Sequence, residues 1–227
     1  TVCTILFNLL FPSILPVCAQ VNRSGEASLA NTLVVVTTSD EVNGNTNSPA
    51  ELIASPGTDG ISLPEAIDAT NRTSDFYTIT FDASLSGSTI YLTHDMPHIT
   101  QGNITINGDI NFDGTPDITI DGTDADFVCF NINGASNVVI RGFKMLNFDK
   151  HGVYIFPNSA DGRPDVENII IYQNEIVADA GQISLLISDQ DNASISNVEI
   201  NSNYLHDGPS SVSILSGMGT STFDNVI

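Results

Sequence analysis

The chain has 227 residues, of which 41% are hydrophobic, so it is long and apolar enough to bury a sizeable core and is not simply disordered. Only six Lys and Arg face 27 Asp and Glu, which gives a formal net charge of −21 at pH 7. Such a surface repels nucleic acid and anionic membranes, so we expect no nucleic-acid partner.

An apolar run at residues 5–15 opens the chain, and small residues at 17–19 follow it. This order is typical of the hydrophobic region and cleavage site of a signal peptide, which we assign to residues 1–19. No Met or basic segment precedes the run, so we expect the start of the signal to be missing. The alternative is a buried strand or helix of the fold. The run is too short to span a membrane, and we expect a secreted or cell-surface protein.

Residues 20–74 form a predicted N-terminal segment that begins rich in Asn, Ser, Thr and Gly. Within it, residues 32–38 predict one strand, and most of the remainder before the helix predicts loop. Residues 60–71 predict a short amphipathic helix, because Ser62 and Glu65 have the spacing of a capping box. One short helix ahead of a stack of strands is suited to covering the open end of that stack.

Residues 75–227 consist of short segments in which apolar and polar residues alternate between Gly and Asn turns. This alternation predicts strands. The earlier predicted strands are 78–81, 88–92, 103–106, 117–120 and 128–132. No helical pattern of about ten residues separates them, so βαβ units are not expected. Cys129 lies on one of these strands and is predicted to be a small buried residue.

The second half of the chain repeats an Asn-led phrase at steps of 31, 29 and 28 residues. The phrases begin at Asn137, Asn168, Asn197 and Asn225. A second apolar phrase follows 15 or 16 residues after the first three, at 153–155, 183–185 and 212–214. A period of this length without helices predicts one coil of a parallel β-solenoid, with coils about 4.8 Å apart. The alternative for each Asn alone is an ordinary turn residue.

Stacked coils place equivalent residues above one another. The four Asn side chains would then form a ladder of hydrogen-bonded amides at one corner. Two sets of apolar residues would stack inside, namely Ile140, Ile171 and Ile200, and Met145, Ile176 and Leu205. Because the last Asn phrase stops after two residues, we expect the solenoid to continue beyond residue 227.

Four segments near the start resemble a known family. They are the strand at 33–37, the Gly-x-Ser-Leu-x-Glu-Ala-Ile-x-x-x-Asn segment at 60–71, the Ile-Thr-Phe-Asp segment at 79–82 and the Gly-x-Thr-Ile-x-Leu strand at 87–92. Together they resemble the opening of secreted bacterial right-handed parallel β-helix proteins with the pectin-lyase-like fold. Pro64 stands where the family's Ser-Leu-Arg-Glu-Ala segment has Arg. The resemblance covers residues 32–227 and implies an all-β, right-handed parallel β-helix with a short N-terminal capping helix.

A short Asp-rich loop is the clearest candidate for a metal site. Its potential ligands are Asp109, Asn111, Asp113 and Asp117. Oxygen atoms at alternate positions, followed by Gly114, are typical of the first half of a calcium loop, so we predict Ca²⁺ here. The glutamate that closes an EF-hand is absent, since Ile120 stands at that position. The alternative is a polar loop with no ion.

Basic residues cluster in an otherwise acidic chain. Arg141, Lys144, Lys150 and Arg163 are four of the six Lys and Arg. On neighbouring coils, acidic and basic side chains could serve as the general acid and base of a polysaccharide lyase or hydrolase. The candidate catalytic residues are Asp149, Lys150, His151, Arg163 and Asp207. The alternative is a set of solvated turn residues with local partners.

Two functions follow from these patterns. The first is a non-catalytic secreted or cell-surface module for adhesion, whose partner is a polysaccharide or cell-surface glycan. The second is a polysaccharide lyase or glycoside hydrolase, since the family that the chain resembles includes adhesin-like proteins, lyases, hydrolases and epimerases. No complete catalytic signature is present, which favours the module. The chain has no Trp and few aromatic residues, so no carbohydrate-stacking platform is evident.

Overall fold

The computed structural model describes residues 20–21, 27–28, 31–123, 128–157, 162, 165–178, 183–188, 193–208, 210–215 and 222–226. The chain divides into two compact units, Thr1–Ala30 and Asn31–Ile227. In the first unit, β1 (Gln20–Val21) and β2 (Ala27–Ser28) pair antiparallel. The signal peptide predicted for residues 1–19 lies outside the described residues.

The second unit is a stack of parallel strands in three sheets. The seven-stranded sheet contains β3 (Asn31–Val35), β4 (Tyr77–Phe81), β6 (Ile104–Asn107), β9 (Val138–Arg141), β12 (Asp165–Tyr172), β15 (Ser194–Asn201) and β18 (Thr222–Val226). The five-stranded sheet contains β5 (Thr89–Tyr91), β7 (Ile118–Asp121), β10 (Phe143–Leu146), β13 (Glu175–Val177) and β16 (Tyr204–His206). The four-stranded sheet contains β8 (Phe130–Asn133), β11 (His151–Phe156), β14 (Ile183–Ser188) and β17 (Ser210–Leu215).

Successive coils contribute one strand to every sheet. Four coils are complete in this sense: β6–β8, β9–β11, β12–β14 and β15–β17. The sheet neighbours are parallel and in register, which confirms the predicted all-β parallel solenoid. The described helices are few and precede the complete coils: α1 (Pro49–Ala54), α2 (Leu63–Thr70) and a 3₁₀ turn at Ala83–Leu85. The sheet begins earlier in the chain than residue 75, because β3 already pairs with β4.

The core is built from stacks of equivalent apolar residues, as the repeat predicts. Both predicted stacks are confirmed by the strand register: Ile140-Ile171-Ile200 and Met145-Ile176-Leu205. Phe143 joins the stacks laterally, since its ring centroid lies 5.7 Å from that of Phe81 and 5.2 Å from that of Phe130. Each such buried side chain contributes about 1.5–3 kcal/mol to folding. Cys129 is fully buried, as predicted, and burial raises the pKa of its thiol.

One coil of the four-stranded sheet departs from the predicted alignment by two residues. The repeat spacing aligns Val153 with Ile183, whereas the structure pairs Val153 with Leu185. Leu185 in turn pairs with Val212. A shift of two residues keeps the same side chains pointing inward, because the side-chain period of a strand is two. Periodicity alone therefore could not distinguish the two alignments.

The predicted asparagine ladder forms along one corner of the seven-stranded sheet, directly before β6 and β9 and within β12 and β15. Asn168 Nδ2 donates to Asn137 Oδ1 at 2.9 Å, and Asn197 Nδ2 donates to Asn168 Oδ1 at 3.2 Å. The ladder includes one coil more than predicted, since Asn137 Nδ2 donates to Asn103 Oδ1 at 2.9 Å. All four have φ between 53° and 60°, a left-handed conformation that Asn tolerates better than most residues. The side chain of Asn225 lies outside the described residues.

A second pair of asparagines lies inside the next corner and was not predicted from the sequence. Asn174 is 2% exposed, and its amide donates to the carbonyl of Ile140 and accepts from the backbone N–H of Phe143. One coil later, Asn203 donates to the carbonyl of Ile171 at 2.7 Å. These amides satisfy backbone groups at a buried turn. The signal was available, because each follows a ladder asparagine by six residues.

Helix α2 packs against β3 and β4, the first strands of the seven-stranded sheet. Ser62 and Glu65 form the predicted capping box, in which Glu65 accepts from the Ser62 N–H at 2.9 Å. Glu65 is fully buried and also accepts from the backbone N–H of Asn43 at 2.8 Å. The apolar side of α2 is fully buried, as a cap requires.

The loop prediction was wrong at α1. Ser48 is the N-cap of this six-residue helix and accepts from the backbone N–H of Glu51 at 3.2 Å. The Ser-Pro-x-Glu sequence of residues 48–51 begins this helix, and a similar Ser-x-x-Glu sequence begins α2. Only two residues of α1, Pro49 and Leu52, are buried, so its apolar pattern is too short to stand out from a loop.

Candidate functional site

The outer face of the seven-stranded sheet carries a groove of about 770 Å³. One row of in-register side chains runs along it: Thr32, Thr78, Thr105, Val139, Ile170 and Glu199. A second row lies two residues further along the strands: Thr80, Asn107, Arg141, Tyr172 and Asn201. Because outward side chains alternate with core residues, this face is as regular as the core beneath it. The groove offers hydroxyls at one end and aromatic, apolar and charged groups further along.

Arg141 occupies the middle of the second row and is held from several directions. Its guanidinium carbon lies 4.8 Å from the ring centroid of Tyr172 and 5.7 Å from that of Phe112. Its Nη2 makes a close ion pair with the carboxylate of Asp109. The side chain of Asp109 is 0% exposed and that of Arg141 is 15% exposed. A planar guanidinium suits both stacking and pairing with a carboxylate, so its charge is compensated inside the protein.

The loop at residues 109–117 joins β6 to β7 and adds one aromatic ring to the groove. Asp109 accepts from the backbone N–H groups of Asp113 and Gly114, each at 3.1 Å. Asp117 accepts from the backbone N–H of Ile110 at 2.8 Å. Between these anchors, Phe112 is 62% exposed and has φ of 60°. The carboxylates therefore fix the backbone on both sides of an exposed ring.

The predicted calcium ligands all lie in this loop, and each is engaged by the chain itself. Asp109 is paired with Arg141, and Asp117 also accepts from the Ser86 hydroxyl at 2.7 Å. Asn111 Oδ1 accepts from the N–H of Asp113 at 2.9 Å.

The fourth predicted ligand, Asp113, accepts from the hydroxyl and the N–H of Thr115, and these bonds hold its pKa below the ordinary value. In this conformation the four groups serve internal donors, whereas Ca²⁺ requires several oxygens directed at one point. Calcium binding stays a prediction from the sequence.

A different trio of potential metal ligands, Asp40, Glu41 and His94, lies within 4.8 Å among the described residues. Asp40 accepts from the hydroxyl of Thr93 at 3.0 Å and from the N–H of His94 at 3.2 Å. Burial raises the pKa of Asp40, but hydrogen bonds from Thr93 and His94 together with the charge of His94 leave this pKa below its ordinary value. Contacts within the chain therefore account for this exposed cluster without an ion.

A chain of charged side chains lies on the five-stranded sheet. Lys144 Nζ bonds Glu175 Oε1 at 2.8 Å, and the strand register pairs these two residues directly. His206 Nε2 lies 3.4 Å from the same oxygen, and its Nδ1 lies 2.8 Å from Asp207 Oδ2. The ring of Tyr204 stacks on that of His206 with centroids 4.3 Å apart. The hydrogen bond from Lys144 is the largest cause of a lowered pKa at Glu175.

The structure places the predicted catalytic residues in separate groups. Asp207 follows β16 and belongs to the His206 cluster. Asp149, Lys150 and His151 follow β10, which lies two coils before β16 in the five-stranded sheet. Lys150 lines a second cavity of about 450 Å³ beside the four-stranded sheet, together with His98 and Tyr154.

The ring of His151 lies 5.7 Å from that of Tyr154, which places it next to this second cavity. Asp149 is exposed, and Arg163 lies outside the described residues.

Sequence reasoning missed the rings of the groove and the contact between Glu175 and His206 in the charged chain. Phe112 lies within a segment that was interpreted as a set of metal ligands. Tyr172 was one of several aromatic residues, and nothing in the sequence distinguished it from the others. Glu175 and His206 follow their ladder asparagines by seven and nine residues, so they face each other only once the coils are in register. Register was therefore the missing information.

Within the part of the chain that the structure describes, no helix combines the length and apolarity needed to cross a membrane. The strand pairing establishes the parallel β-solenoid, while the narrower resemblance to pectin-lyase-like proteins stays a prediction. No protein-family model matches the chain, and no significant match was found among curated proteins or among solved structures.

Proposed function

We propose that the protein is a secreted or cell-surface module that binds glycans without catalysis, on a right-handed β-helix of the pectin-lyase-like kind. The observation that carries this proposal is the groove on the seven-stranded sheet, which is concave, about 770 Å³ in volume and lined by Thr and Asn side chains beside aromatic rings. A concave surface with a few well-placed polar groups among apolar ones is typical of a ligand site.

The rigidity of the groove also favours binding. Its floor is a parallel sheet whose inward side chains, including Ile106, Ile140 and Ile171, are fully buried. Sites held on strands lose less conformational freedom on binding than sites on loops. Hydroxyl and amide groups on such a floor offer both donors and acceptors to sugar hydroxyls.

A glycan microarray probed with labelled protein tests the proposal. Thr105 lies in the first row of the groove, so Thr105→Gln should fill part of the groove and weaken binding about tenfold. Thr119→Gln is the matched control, because Thr119 is an equally half-buried outward residue on β7, outside the groove. Equal loss in both variants, or no bound glycan on the array, would contradict the proposal.

A polysaccharide lyase or hydrolase is the second candidate. The observation that favours it is the chain of Lys144, Glu175, His206 and Asp207, in which an imidazole lies between two carboxylates. Such an imidazole is suited to general acid–base work. Incubation with pectate, alginate and neutral glycans, followed by assay of new reducing ends and unsaturated products, tests it. Turnover that His206→Gln removes and Thr119→Gln retains would support the enzyme.

Export is part of the proposal and rests on the apolar run at residues 5–15 and the small residues at 17–19. The expected mature protein begins at Gln20. The intact mass of protein recovered from the growth medium tests this, and a mass that still includes residues 1–19 would contradict it.

A further inference from the structure

Phe112 is held in a conformation that its side chain disfavours. A bulky residue with φ of 60° is a backbone outlier, and such strain persists only where the surrounding structure enforces it. The carboxylates of Asp109 and Asp117 enforce it here by accepting backbone N–H groups on either side of the ring. The ring nevertheless remains 62% exposed and lines the groove. The Asp-rich loop therefore holds an apolar surface in contact with solvent.

The charges around the groove disfavour an anionic ligand. Arg141 is the one basic residue among the described side chains that line the groove, and its charge is already paired with Asp109. Glu199 adds a negative charge to the same wall, on a chain whose formal net charge is −21. A polyanion would meet repulsion here without a free cation to offset it.

We propose that the groove selects neutral glycans and that the exposed face of Phe112 stacks on a sugar ring. This inference rests on the proposed function and specifies its ligand class. The threonine hydroxyls and the exposed amide of Asn201 supply neutral hydrogen-bonding partners along the same groove. The amide of Asn107 is buried and bonds the backbone of Asp109. An aromatic ring presented by a fixed loop provides contact area at a low entropic cost. The ion pair with Asp109 holds the guanidinium of Arg141 between the rings of Phe112 and Tyr172.

Affinity electrophoresis in native gels tests the inference with the whole chain. The gels contain either a neutral polysaccharide (hydroxyethylcellulose, galactomannan or dextran) or an anionic one (polygalacturonate or alginate). We expect at least one neutral polymer to retard the protein and neither anionic polymer to do so. Phe112→Asn should weaken the neutral interaction about fivefold, while Phe112→Tyr should retain it.

Tyr91→Ala is the matched control, because Tyr91 is 64% exposed on β5 and lies outside the groove. Thermal unfolding separates binding from folding, since Asn tolerates a positive φ and Phe112→Asn should therefore leave Tm unchanged or raised.

Retardation by anionic polymers alone would overturn the selectivity and leave the proposed function standing. Equal retardation of the wild type and Phe112→Asn would overturn the role of the ring. No retardation by any polymer would overturn both.

Discussion

Arg141 and Lys144 lie three residues apart in one coil, yet their surroundings differ. Arg141 ends β9 and is 15% exposed against a fully buried Asp109, whereas Lys144 on β10 is 40% exposed against Glu175 at 27%. The partner of Arg141 comes from the loop of the preceding coil, and the partner of Lys144 comes from the next coil in register. The same type of ion pair therefore matters for stability when it is buried, as at Arg141, and contributes little when it is exposed, as at Lys144.

Removing each cation should give the largest contrast. Arg141→Leu leaves the carboxylate of Asp109 buried without its charged partner, and we expect a loss of about 3–5 kcal/mol in the free energy of unfolding. Lys144→Leu should cost at most about 1 kcal/mol. Urea unfolding at pH 7 measures both. The double variant Asp109→Asn/Arg141→Leu should recover part of the loss. Equal costs for the two single variants would contradict the difference expected between the buried and the exposed ion pair.

The turn between β9 and β10 should be nearly as sensitive. Gly142 has φ of +74°, and a Cβ there would lie 2.2 Å from the backbone N of Asp109. We expect Gly142→Ala to cost about 3 kcal/mol, since it adds a clash to the conformational penalty.

Gly87→Ala is the control for this turn, because Gly87 has φ of +78° and nothing within 4 Å of an added Cβ. Gly87→Ala should cost about 1 kcal/mol, and urea unfolding measures both variants. Similar losses would show that the close approach of Asp109 to this turn is unimportant.

The contribution of the Lys144–Glu175 pair to stability should depend on pH. The pKa of Glu175 lies below its ordinary value of 4.5, chiefly because Lys144 donates to it. A lowered folded-state pKa means that the stabilisation is complete above the unfolded-state pKa and is lost as pH falls through the folded-state value. The cost of Lys144→Met, at most about 1 kcal/mol at pH 7, should therefore shrink below about pH 4.5. A cost independent of pH, or one that survives in a Glu175→Gln background, would contradict this.

Calcium should have the smallest effect on stability, because the ion would compete with Arg141 for Asp109. The loop motif predicts that 1 mM CaCl₂ raises Tm relative to EDTA, by about 2 °C. Asp113→Ala should abolish the rise. An identical Tm in CaCl₂ and EDTA would contradict the motif and leave the loop with internal partners alone.

The fold was largely predictable because a solenoid repeats local information. The spacing of Asn137, Asn168 and Asn197 fixed the coil length, and the alternation beside each fixed which side chains point inward. The buried Asn174 was missed although Asn203 repeats its spacing of six residues from the ladder, because the spacing does not show which backbone groups these amides satisfy.

The groove was harder to predict for a physical reason. It gathers one to three residues from each of several coils, so no single segment carries its signature. At the loop, the sequence showed that oxygen atoms recur at alternate positions but could not show which donors they serve. Backbone N–H groups and Arg141 bond Asp109, Ile110 packs against the core, and Phe112 is the apolar residue that remains exposed.

The asparagine ladder has a consequence for how this molecule tolerates change. Its hydrogen bonds join asparagines that are 34, 31 and 29 residues apart, so the asparagines stay aligned although the coil length varies. Insertions elsewhere in a coil then alter the surface without shifting the register of the next coil. The corner fixes the register of the coils, and the loop at residues 109–117 is an example of a loop inserted away from that corner. New binding loops inserted at the same connection of later coils should therefore leave the register of the following coils unchanged.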